Sequence, residues 1–405
     1  MYDLLKGLTV VEAAAFIAGP TCGLYLGQFG ARVIRIDQVG GGPDFRRWPL
    51  AASGDSLYWE GLNKAKQSIV IDLARPEGRE LAQRLAAAPG EGRGLFVTNF
   101  PVGGFLSYER LKALRDDVIC VRVMGWADGR PALDYTVNAA VGVPAMTGFA
   151  DDPRPVNHMF PAWDFITGAY AALSLVSAER ARRAGRGGCE VRIPLSDIAA
   201  TALANWGLLA EVLVNGEERP RIGNDVYAAF GRDFEIAGGR RVMVVAITPR
   251  QWRAIVGTLG LDADVAALES ELGVSFGAHE AVRYEHRERL FPLFERAFAT
   301  RTAADLAPVF EAEGVCWSEY RTLTEAACDR SLFADNPVFG RAAHPSGLDY
   351  PTPGSAATLV GLERGPPAPA PKLGAHTDEV LADLLGMSSG EIGRLHDAGL
   401  VRGAE

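Results

Sequence analysis

Short apolar runs and longer amphipathic stretches alternate along the N-terminal third of the chain. Helices are predicted near residues 21–29 and at 76–88 and 107–115, where apolar side chains recur at helical spacing. Buried strands are predicted at 8–13, 32–37, 68–72, 94–98 and 118–123. Strands that alternate with helices at this spacing are typical of parallel sheets. The pattern therefore predicts a doubly wound α/β domain.

The longest helical pattern runs from Asp164 to about residue 182. Asp164 is predicted to be its N-cap, because a carboxylate there accepts hydrogen bonds from free backbone N–H groups. Arginines between 180 and 183 suit the negative C-terminal end of the helix dipole. A strand at 189–193 and a helix at 196–215 follow.

The pattern changes near residue 220, which indicates a smaller second domain at 225–325. Within it, 226–247 is predicted to be a hairpin that turns at Gly238-Gly239. Helices follow at 250–259 and 279–299. The stretch 343–371 is rich in Pro, Gly and Ala and is interpreted as an irregular connection. A helix pair at 376–385 and 388–398 is predicted to end the chain.

Composition narrows the function classes. The net charge is 41 − 50 = −9 and no stretch is strongly basic, so nucleic acid is an unfavourable partner. The five cysteines form no CxxC pair, which disfavours a zinc knuckle or a redox pair. An odd cysteine count without a basic-then-apolar N-terminal segment favours a reduced, cytoplasmic protein. No uncharged apolar run reaches the ~18 residues of a membrane span.

Common cofactor motifs fit poorly. Strand 8–13, a small-residue turn and Asp37 resemble the entry to a dinucleotide-binding fold. The GxGxxG glycines are absent, however, and Phe16 would crowd a pyrophosphate, so NAD binding is disfavoured. No Walker A or GxSxG motif occurs, and the six histidines are scattered without metal-ligand spacing.

Asp164 and a group of cations are the candidates for chemistry. An N-cap aspartate is ordinary, yet a helix N-terminus also stabilises an anionic nucleophile and an adjacent oxyanion, and the two roles are compatible. Arg46, Arg47, Lys64 and Lys66 fall just past strand or helix ends. They are either solvated surface residues or a group that holds phosphates or carboxylates.

Several motifs in order resemble the class III CoA-transferases, the family of formyl-CoA transferase and carnitine CoA-transferase. The resemblance rests on the opening LKGLTVVEAAAFIAGPTCGLYLGQFGARVIRID, Asn63 to Ser68, Asn99-Phe100, Asp164 with Thr167-Gly168, Gly223-Asn224, and Gly374 to Leu381. It implies a large Rossmann-like domain at 1–224, a small α+β domain at 225–325, and a segment at 326–405 that returns to the large domain. It also implies an interlocked homodimer.

The resemblance implies a catalytic role for Asp164, which would accept the acyl group as a mixed anhydride and then carry CoA as a thioester. No metal or other cofactor is expected, since CoA belongs to the substrate. Arg46 and Arg47 are candidates for a free substrate carboxylate. CoA contacts are expected at Phe16, Ile17, Gln38, Ile71, Asn99 and Phe100.

Within the family, GGGPDFRRWP, NHMFPAWD and RLHDAGLV are most similar to members that move CoA between the C1 and C4 carboxyls of one mesaconyl group. Gln38 stands where formyl-CoA transferase has arginine, and the covering glycine-rich loop is replaced by Ala-Ala-Phe-Gly at 228–231. Three alternatives remain: transfer between two different acids, a non-catalytic acyl-CoA-binding protein, and an NAD-dependent oxidoreductase.

Overall fold

The computed structural model describes residues 1–404 and contains a seven-stranded sheet, a three-stranded sheet and a two-stranded sheet. The strands are β1 (Thr9–Ala13), β2 (Arg32–Asp37), β3 (Lys66–Ile71), β4 (Leu95–Thr98), β5 (Ile119–Met124), β6 (Cys189–Pro194), β7 (Phe230–Glu235), β8 (Arg241–Ala246), β9 (Cys316–Glu319), β10 (Phe339–Ala343), β11 (Asp349–Pro353) and β12 (Val401–Arg402).

Helices connect and cover these strands. They are α1 (Ala18–Gln28), α2 (Leu57–Leu62), α3 (Pro76–Ala86), α4 (Tyr108–Leu114), α5 (Asp134–Ala140), α6 (Val143–Met146), α7 (Ala162–Ala181), α8 (Leu195–Asn205), α9 (Leu208–Asn215), α10 (Pro249–Leu259), α11 (Asp262–Leu272), α12 (Glu280–Glu285), α13 (Arg287–Ala299), α14 (Ala303–Glu313), α15 (Leu323–Ala327), α16 (Thr377–Leu385) and α17 (Ser389–Asp397). A π-type turn at Arg182–Arg186 ends α7.

The large sheet has the order β12-β3-β2-β1-β4-β5-β6. Strands β1 to β6 are parallel, and the short β12 adds to β3 in the antiparallel direction. The chain moves outward from β1 through β2 to β3 and then crosses back to β4. Ligands of open α/β sheets bind at such a reversal point, beyond the carboxyl ends of the strands. The topology therefore singles out the loops after β1 and β4, and the predicted α/β class is confirmed.

Helix α7 lies directly on α1 because the contact residue has no side chain. A Cβ built on Gly168 would lie 2.6 Å from the Thr21 Cβ and 2.8 Å from the Ala18 carbonyl oxygen. Both Thr21 and Gly168 are buried. This close approach fixes the first turns of α7, which carry Asp164, against the helix that follows β1.

The chain folds into two compact units. The first comprises residues 1–141, 158–216 and 329 onward, and the second comprises 142–157 and 217–328. The sequence interpretation placed 142–157 in the large domain, and the structure corrects this. The Arg221 guanidinium donates to the Ala145 and Arg154 carbonyls, and the Gly223 N–H donates to the Gly148 carbonyl at 2.9 Å. These bonds hold 142–157 within the second unit.

The second unit is built on the antiparallel order β7-β8-β9. Gly238 and Gly239 have φ of 90° and 77°, as the predicted hairpin requires. A dense phenylalanine cluster fills its core, including Phe230, Phe234 and Phe294, each fully buried.

Two predicted helices are divided. The helix expected at 196–215 breaks between α8 and α9 at Gly207, whose φ of 87° is left-handed. The helix expected at 279–299 is interrupted at His286. The stretch 343–371 is less irregular than expected, because Asp349–Pro353 pairs with β10.

No single helix in residues 1–404 is long and apolar enough to cross a membrane. The bent pair α8–α9 has the combined length and apolar composition of a membrane-spanning segment, by those two criteria alone.

Candidate active site

A cavity of about 580 Å³ lies in the first unit, where the topology predicts a ligand. The turn after β1 and the turn after β4 form two of its walls, and the start of α7 contributes to a third. Five residues proposed from the sequence line it together: Phe16, Ile17, Asn99, Phe100 and Asp164.

The turn after β1 is held in an unusual backbone conformation. Phe16 has a φ of 71°, which a side-chain-bearing residue adopts only when its surroundings impose it. The Asn99 side chain accepts from the Ala15 N–H at 3.3 Å and donates to the Ala15 carbonyl at 3.0 Å. The Asp44 carboxylate accepts from the Phe16 N–H at 3.1 Å. Asn99 and Asp44 together fix the wall formed by Phe16 and Ile17.

Asp164 is the third residue of α7 rather than its N-cap. The helix begins at Ala162, and Pro161 occupies the cap position without a side-chain hydrogen bond. The predicted cap role was therefore wrong, because the helix starts two residues earlier than its apolar pattern indicated. Within residues 1–404 the Asp164 carboxylate has no hydrogen-bond partner, and it lies in the positive first turn of the helix.

Burial, together with the smaller effect of the nearby negative charge of Asp134, raises the pKa of Asp164 to about 7. The Asp134 side chain is only 1% exposed. One of its oxygens accepts from the backbone N–H of Asp164 at 3.1 Å. The other oxygen accepts from His158 Nε2. Asp164 therefore titrates within the neutral range, beside a second, paired carboxylate.

Tyr58 and Arg47 lie near Asp164 and Phe16. Burial chiefly raises the pKa of the Tyr58 hydroxyl, which has no hydrogen-bond partner among the described residues; Arg47 and Asp164 are among the charges that act on it. The Arg47 guanidinium carbon lies 5.4 Å from the Tyr58 ring centroid and 5.7 Å from that of Phe16. Arg47 is exposed and forms no ion pair within residues 1–404. It is a cation available to an anionic ligand.

Three proposed residues lie elsewhere. Arg46 lines a different cavity of about 430 Å³, with Glu60 and Lys372. Gln38 is exposed and does not line the cavity of Asp164. Ile71 has an exposure of 0% and packs in the core of the first unit.

The structure adds residues that the sequence analysis did not select. Asp134 accepts a hydrogen bond from the Asp164 backbone and bonds to His158, the charge of Asp164 acts on the Tyr58 hydroxyl, and Arg192 lines the cavity. His158 lies in the stretch NHMFPAWD, and the similarity of this stretch to the family was the only sequence feature that pointed to a functional role for it.

Comparisons with known proteins show the family of this chain. The family model described as CoA-transferase family III matches residues 5–377. The 2-methylfumaryl-CoA isomerase of Chloroflexus aurantiacus is 46% identical, with 100% of this chain and 99% of that protein aligned. The succinyl-CoA–D-citramalate CoA-transferase of the same organism is 28% identical, with 96% of each aligned.

A solved CAIB/BAIF family protein from Brucella suis superposes with a TM-score of 0.77 at 24% identity, covering 95% of this chain and 100% of that one. This likeness supports the fold. Because the family model covers most of the chain and the alignment with the isomerase runs its full length, this enzyme belongs to CoA-transferase family III.

Proposed function

We propose that this protein moves CoA within one substrate molecule, converting 2-methylfumaryl-CoA into 3-methylfumaryl-CoA, with Asp164 as the covalent acyl and CoA acceptor. The carboxylate of Asp164 carries the proposal, because it is partly buried, free of hydrogen-bond partners in residues 1–404, and placed at the cavity beside the β1 and β4 loops. The 46% identity to the Chloroflexus isomerase supports the choice of substrate.

The reaction balances without a proton or a cofactor. The Asp164 carboxylate attacks the thioester carbonyl, and the C–S bond breaks to give a mixed anhydride and a CoA thiolate. The thiolate then attacks the aspartyl carbonyl, which releases the dicarboxylate and leaves CoA as a thioester on Asp164. Covalent catalysis of this kind divides one difficult displacement into easier steps.

The second half reverses these steps at the other end of the dicarboxylate. The far carboxylate attacks the aspartyl thioester, forming a new anhydride and releasing the thiolate. The thiolate attacks the substrate carbonyl, which yields the isomeric thioester and frees Asp164. The released dicarboxylate has to turn over without leaving, so the cavity walls must exclude water and other acids.

The substrate keeps one free carboxylate in each thioester form, and burying it unpaired is costly. Arg47 suits this group better than Arg46, because Arg47 lies over Phe16, which lines the cavity, whereas Arg46 lines the other cavity. A guanidinium can bind a carboxylate through two parallel hydrogen bonds. The Tyr58 hydroxyl is a further donor, since it lacks a partner in the described chain.

Transfer between two different acids is the second candidate, because the 28% identical relative is named for such a transfer. Turnover of 2-methylfumaryl-CoA in the presence of excess ¹³C-labelled free mesaconate separates the two. We expect product without label. Label entering product at the rate of turnover would show intermolecular transfer and overturn the proposal.

A homodimer of interlocked chains is also proposed. Helix α9 and the turn that joins it to α8 expose large apolar side chains, with Trp206 at 69%, Leu213 at 74% and Val214 at 80%. Exposed apolar surface of this kind is typical of an interface. Sedimentation velocity over a wide dilution range is expected to show one dimeric species, and a concentration-dependent monomer would contradict interlocked chains.

A further inference from the structure

Asp44 connects a buried arginine to the wall of the cavity. Its carboxylate accepts from the Arg35 guanidinium at 2.9 and 3.2 Å and from the Phe16 N–H at 3.1 Å. We infer that Asp44 is a positioning residue that holds the Phe16 wall and Arg47 in place relative to each other, and so makes the enzyme prefer thioesters with a free carboxylate. This inference rests on the proposed function, in which Arg47 binds that carboxylate.

The position of Asp44 is set by the large sheet. Arg35 lies on β2, and its side chain is 2% exposed. Its Nε donates to Asp37 at 2.7 Å and its Nη1 donates to the Asn63 side chain at 3.1 Å, while its Nη2 holds Asp44. The Asp44 side chain is itself 1% exposed, so water competes poorly for these bonds. A guanidinium with all three nitrogens engaged fixes the carboxylate that it holds.

The backbone of Phe16 depends on Asp44. A φ of 71° at Phe16 persists only where the surroundings impose it. Asn99 holds the preceding residue, Ala15, through both of its backbone groups. Asp44 bonds to the N–H of Phe16 itself. Removing the Asp44 carboxylate therefore takes away the acceptor of this N–H and releases the Phe16 ring.

Arg47 is tied to the same residue. The Asp44 carbonyl accepts from the Arg47 N–H at 3.2 Å, and the Ser56 hydroxyl donates to the Arg47 carbonyl. The Arg47 guanidinium carbon lies 5.7 Å from the Phe16 ring centroid. The side chain of Asp44 thus holds the ring, and its main chain holds the residue that carries the guanidinium. One buried carboxylate therefore aligns both.

The consequence falls on the free carboxylate of the substrate. Two parallel hydrogen bonds between a guanidinium and a carboxylate require a fixed separation and orientation. A displacement of about 1 Å can lower a rate by roughly 100-fold. A thioester without a second carboxylate has no such requirement. Because CoA is common to both kinds of thioester, changes in its contacts cancel when the two rates are compared as a ratio.

The test compares the second-order rate constants with which 2-methylfumaryl-CoA and crotonyl-CoA form the Asp164 adduct, measured by quenching and peptide mass spectrometry. Asp44→Asn keeps the size of the side chain, but in either orientation of the amide its NH2 group would face the Arg35 guanidinium, donor against donor. Arg35 keeps Asp37 as a charged partner, so the fold should survive. We expect the ratio of the two rate constants to fall about tenfold, with the larger loss for 2-methylfumaryl-CoA.

Asp37→Asn is the matched control. Asp37 also pairs with Arg35 and accepts from the Ser68 hydroxyl at 2.7 Å, and within residues 1–404 no bond joins it to Phe16. Its side chain is 0% exposed, so the variant loses a buried charge pair of the same kind. Stability should fall as in Asp44→Asn, while the ratio should remain that of the wild type.

A double variant tests whether Asp44 acts through Arg47. In the Arg47→Gln background, Asp44→Asn should leave the ratio unchanged, because the group that it aligns is gone. Should Asp44→Asn fail to fold, Asp44→Glu decides, because it retains the charge opposite Arg35 but displaces the carboxylate by one methylene. The ratio should fall there too, and an unchanged ratio would overturn the inference.

Failure of this inference differs from failure of the proposed function. If the wild type forms no adduct at Asp164, or if Arg47→Gln leaves the ratio unchanged, the proposed function or its assignment of Arg47 fails, and this inference with it. If Arg47→Gln lowers the ratio but a folded Asp44→Asn protein keeps it, the inference alone is overturned. An equal fall in Asp37→Asn would mean that the buried charges serve only the fold, which also overturns it.

Discussion

The Lys66 ammonium lies 2.9 Å from the Glu12 carboxylate, with both side chains 0% exposed inside the large sheet. Lys66 also donates to the Pro20 carbonyl at the start of α1 and to the Asn63 side chain. Burial raises the pKa of Glu12, and Lys66 is the first charge that counters this effect. The pair anchors β1 and α1, the two elements that flank the Phe16 turn.

Lys66→Met should destabilise the protein by about 3–5 kcal/mol, because it leaves Glu12 buried with a weaker partner, the Arg35 guanidinium at 3.6 Å. Urea unfolding measures the loss. Lys112→Met, at an exposed position on α4, should change stability by less than about 0.5 kcal/mol. Combining Lys66→Met with Glu12→Leu should recover much of the loss, and equal losses in single and double variants would contradict a role for the pair.

Asp164→Asn should abolish turnover while the fold remains intact, since an amide cannot form the anhydride. Far-UV circular dichroism checks that the fold is intact, and the isomerisation assay measures the loss of turnover. Asp262→Asn, in the first turn of α11 in the second unit, should keep full activity. A folded Asp164→Asn protein with near-normal rate would contradict the mechanism.

Asp164→Asn should also stabilise the protein at pH 8 but not at pH 4. The pKa of Asp164 is raised from 3.8 to about 7, so the folded state binds the proton more tightly than the unfolded state. Ionisation therefore costs stability as pH rises from about 4 to 7, and the cost persists above 7. Replacing the carboxylate should raise the free energy of unfolding by about 1–3 kcal/mol at pH 8. This is less than the full pKa shift corresponds to, because the side chain is partly exposed. Denaturant curves at both pH values decide, and equal effects at both would count against a raised pKa.

Wild-type kcat/KM should fall as pH drops through about 7, because only the carboxylate form of Asp164 attacks the thioester. The fall should be tenfold per pH unit once the acid form dominates. Initial rates between pH 5 and 9 measure it. A rate that stays constant down to pH 5 would mean that Asp164 is ionised throughout.

Gly168→Ala should destabilise the protein by about 1–3 kcal/mol and reduce activity, because the new methyl group would lie 2.6 Å from the Thr21 Cβ and displace α7 from α1. Gly393→Ala, in α17 with nothing within 4 Å of the added Cβ, should instead stabilise by about 0.5–1 kcal/mol. Thermal unfolding should show a lower Tm for Gly168→Ala and a higher Tm for Gly393→Ala. A neutral Gly168→Ala would show that the two helices can move apart freely.

Arg47→Gln should slow formation of the Asp164 adduct with 2-methylfumaryl-CoA by at least tenfold and leave crotonyl-CoA, which lacks a free carboxylate, nearly unaffected. Arg46→Gln is the matched control and should leave both reactions unchanged, because Arg46 lines the other cavity. Equal loss with both thioesters would mean that Arg47 holds CoA or the fold.

The sequence by itself determined the strands of the large sheet, because hydrophobic periodicity is a local property. Strands β1 to β6 fall within two residues of the predicted ranges, since each is an apolar run bounded by turn residues. The resemblance also selected Asp164, Phe16 and Asn99, which meet at one cavity. Those residues stand at strand and helix ends, where the chain order alone places them on one edge of a parallel sheet.

Only the tertiary structure decided what surrounds Asp164. Asp134 lies 30 positions away along the chain, and no spacing rule joins it to His158 and Asp164. Arg46 and Arg47 are adjacent in sequence and chemically identical, yet they line or approach different cavities. The sequence also did not predict that 142–157 belongs to the second unit, because this depends on hydrogen bonds from Arg221. Such contacts follow from how the elements pack, and packing distances are not encoded in any local pattern.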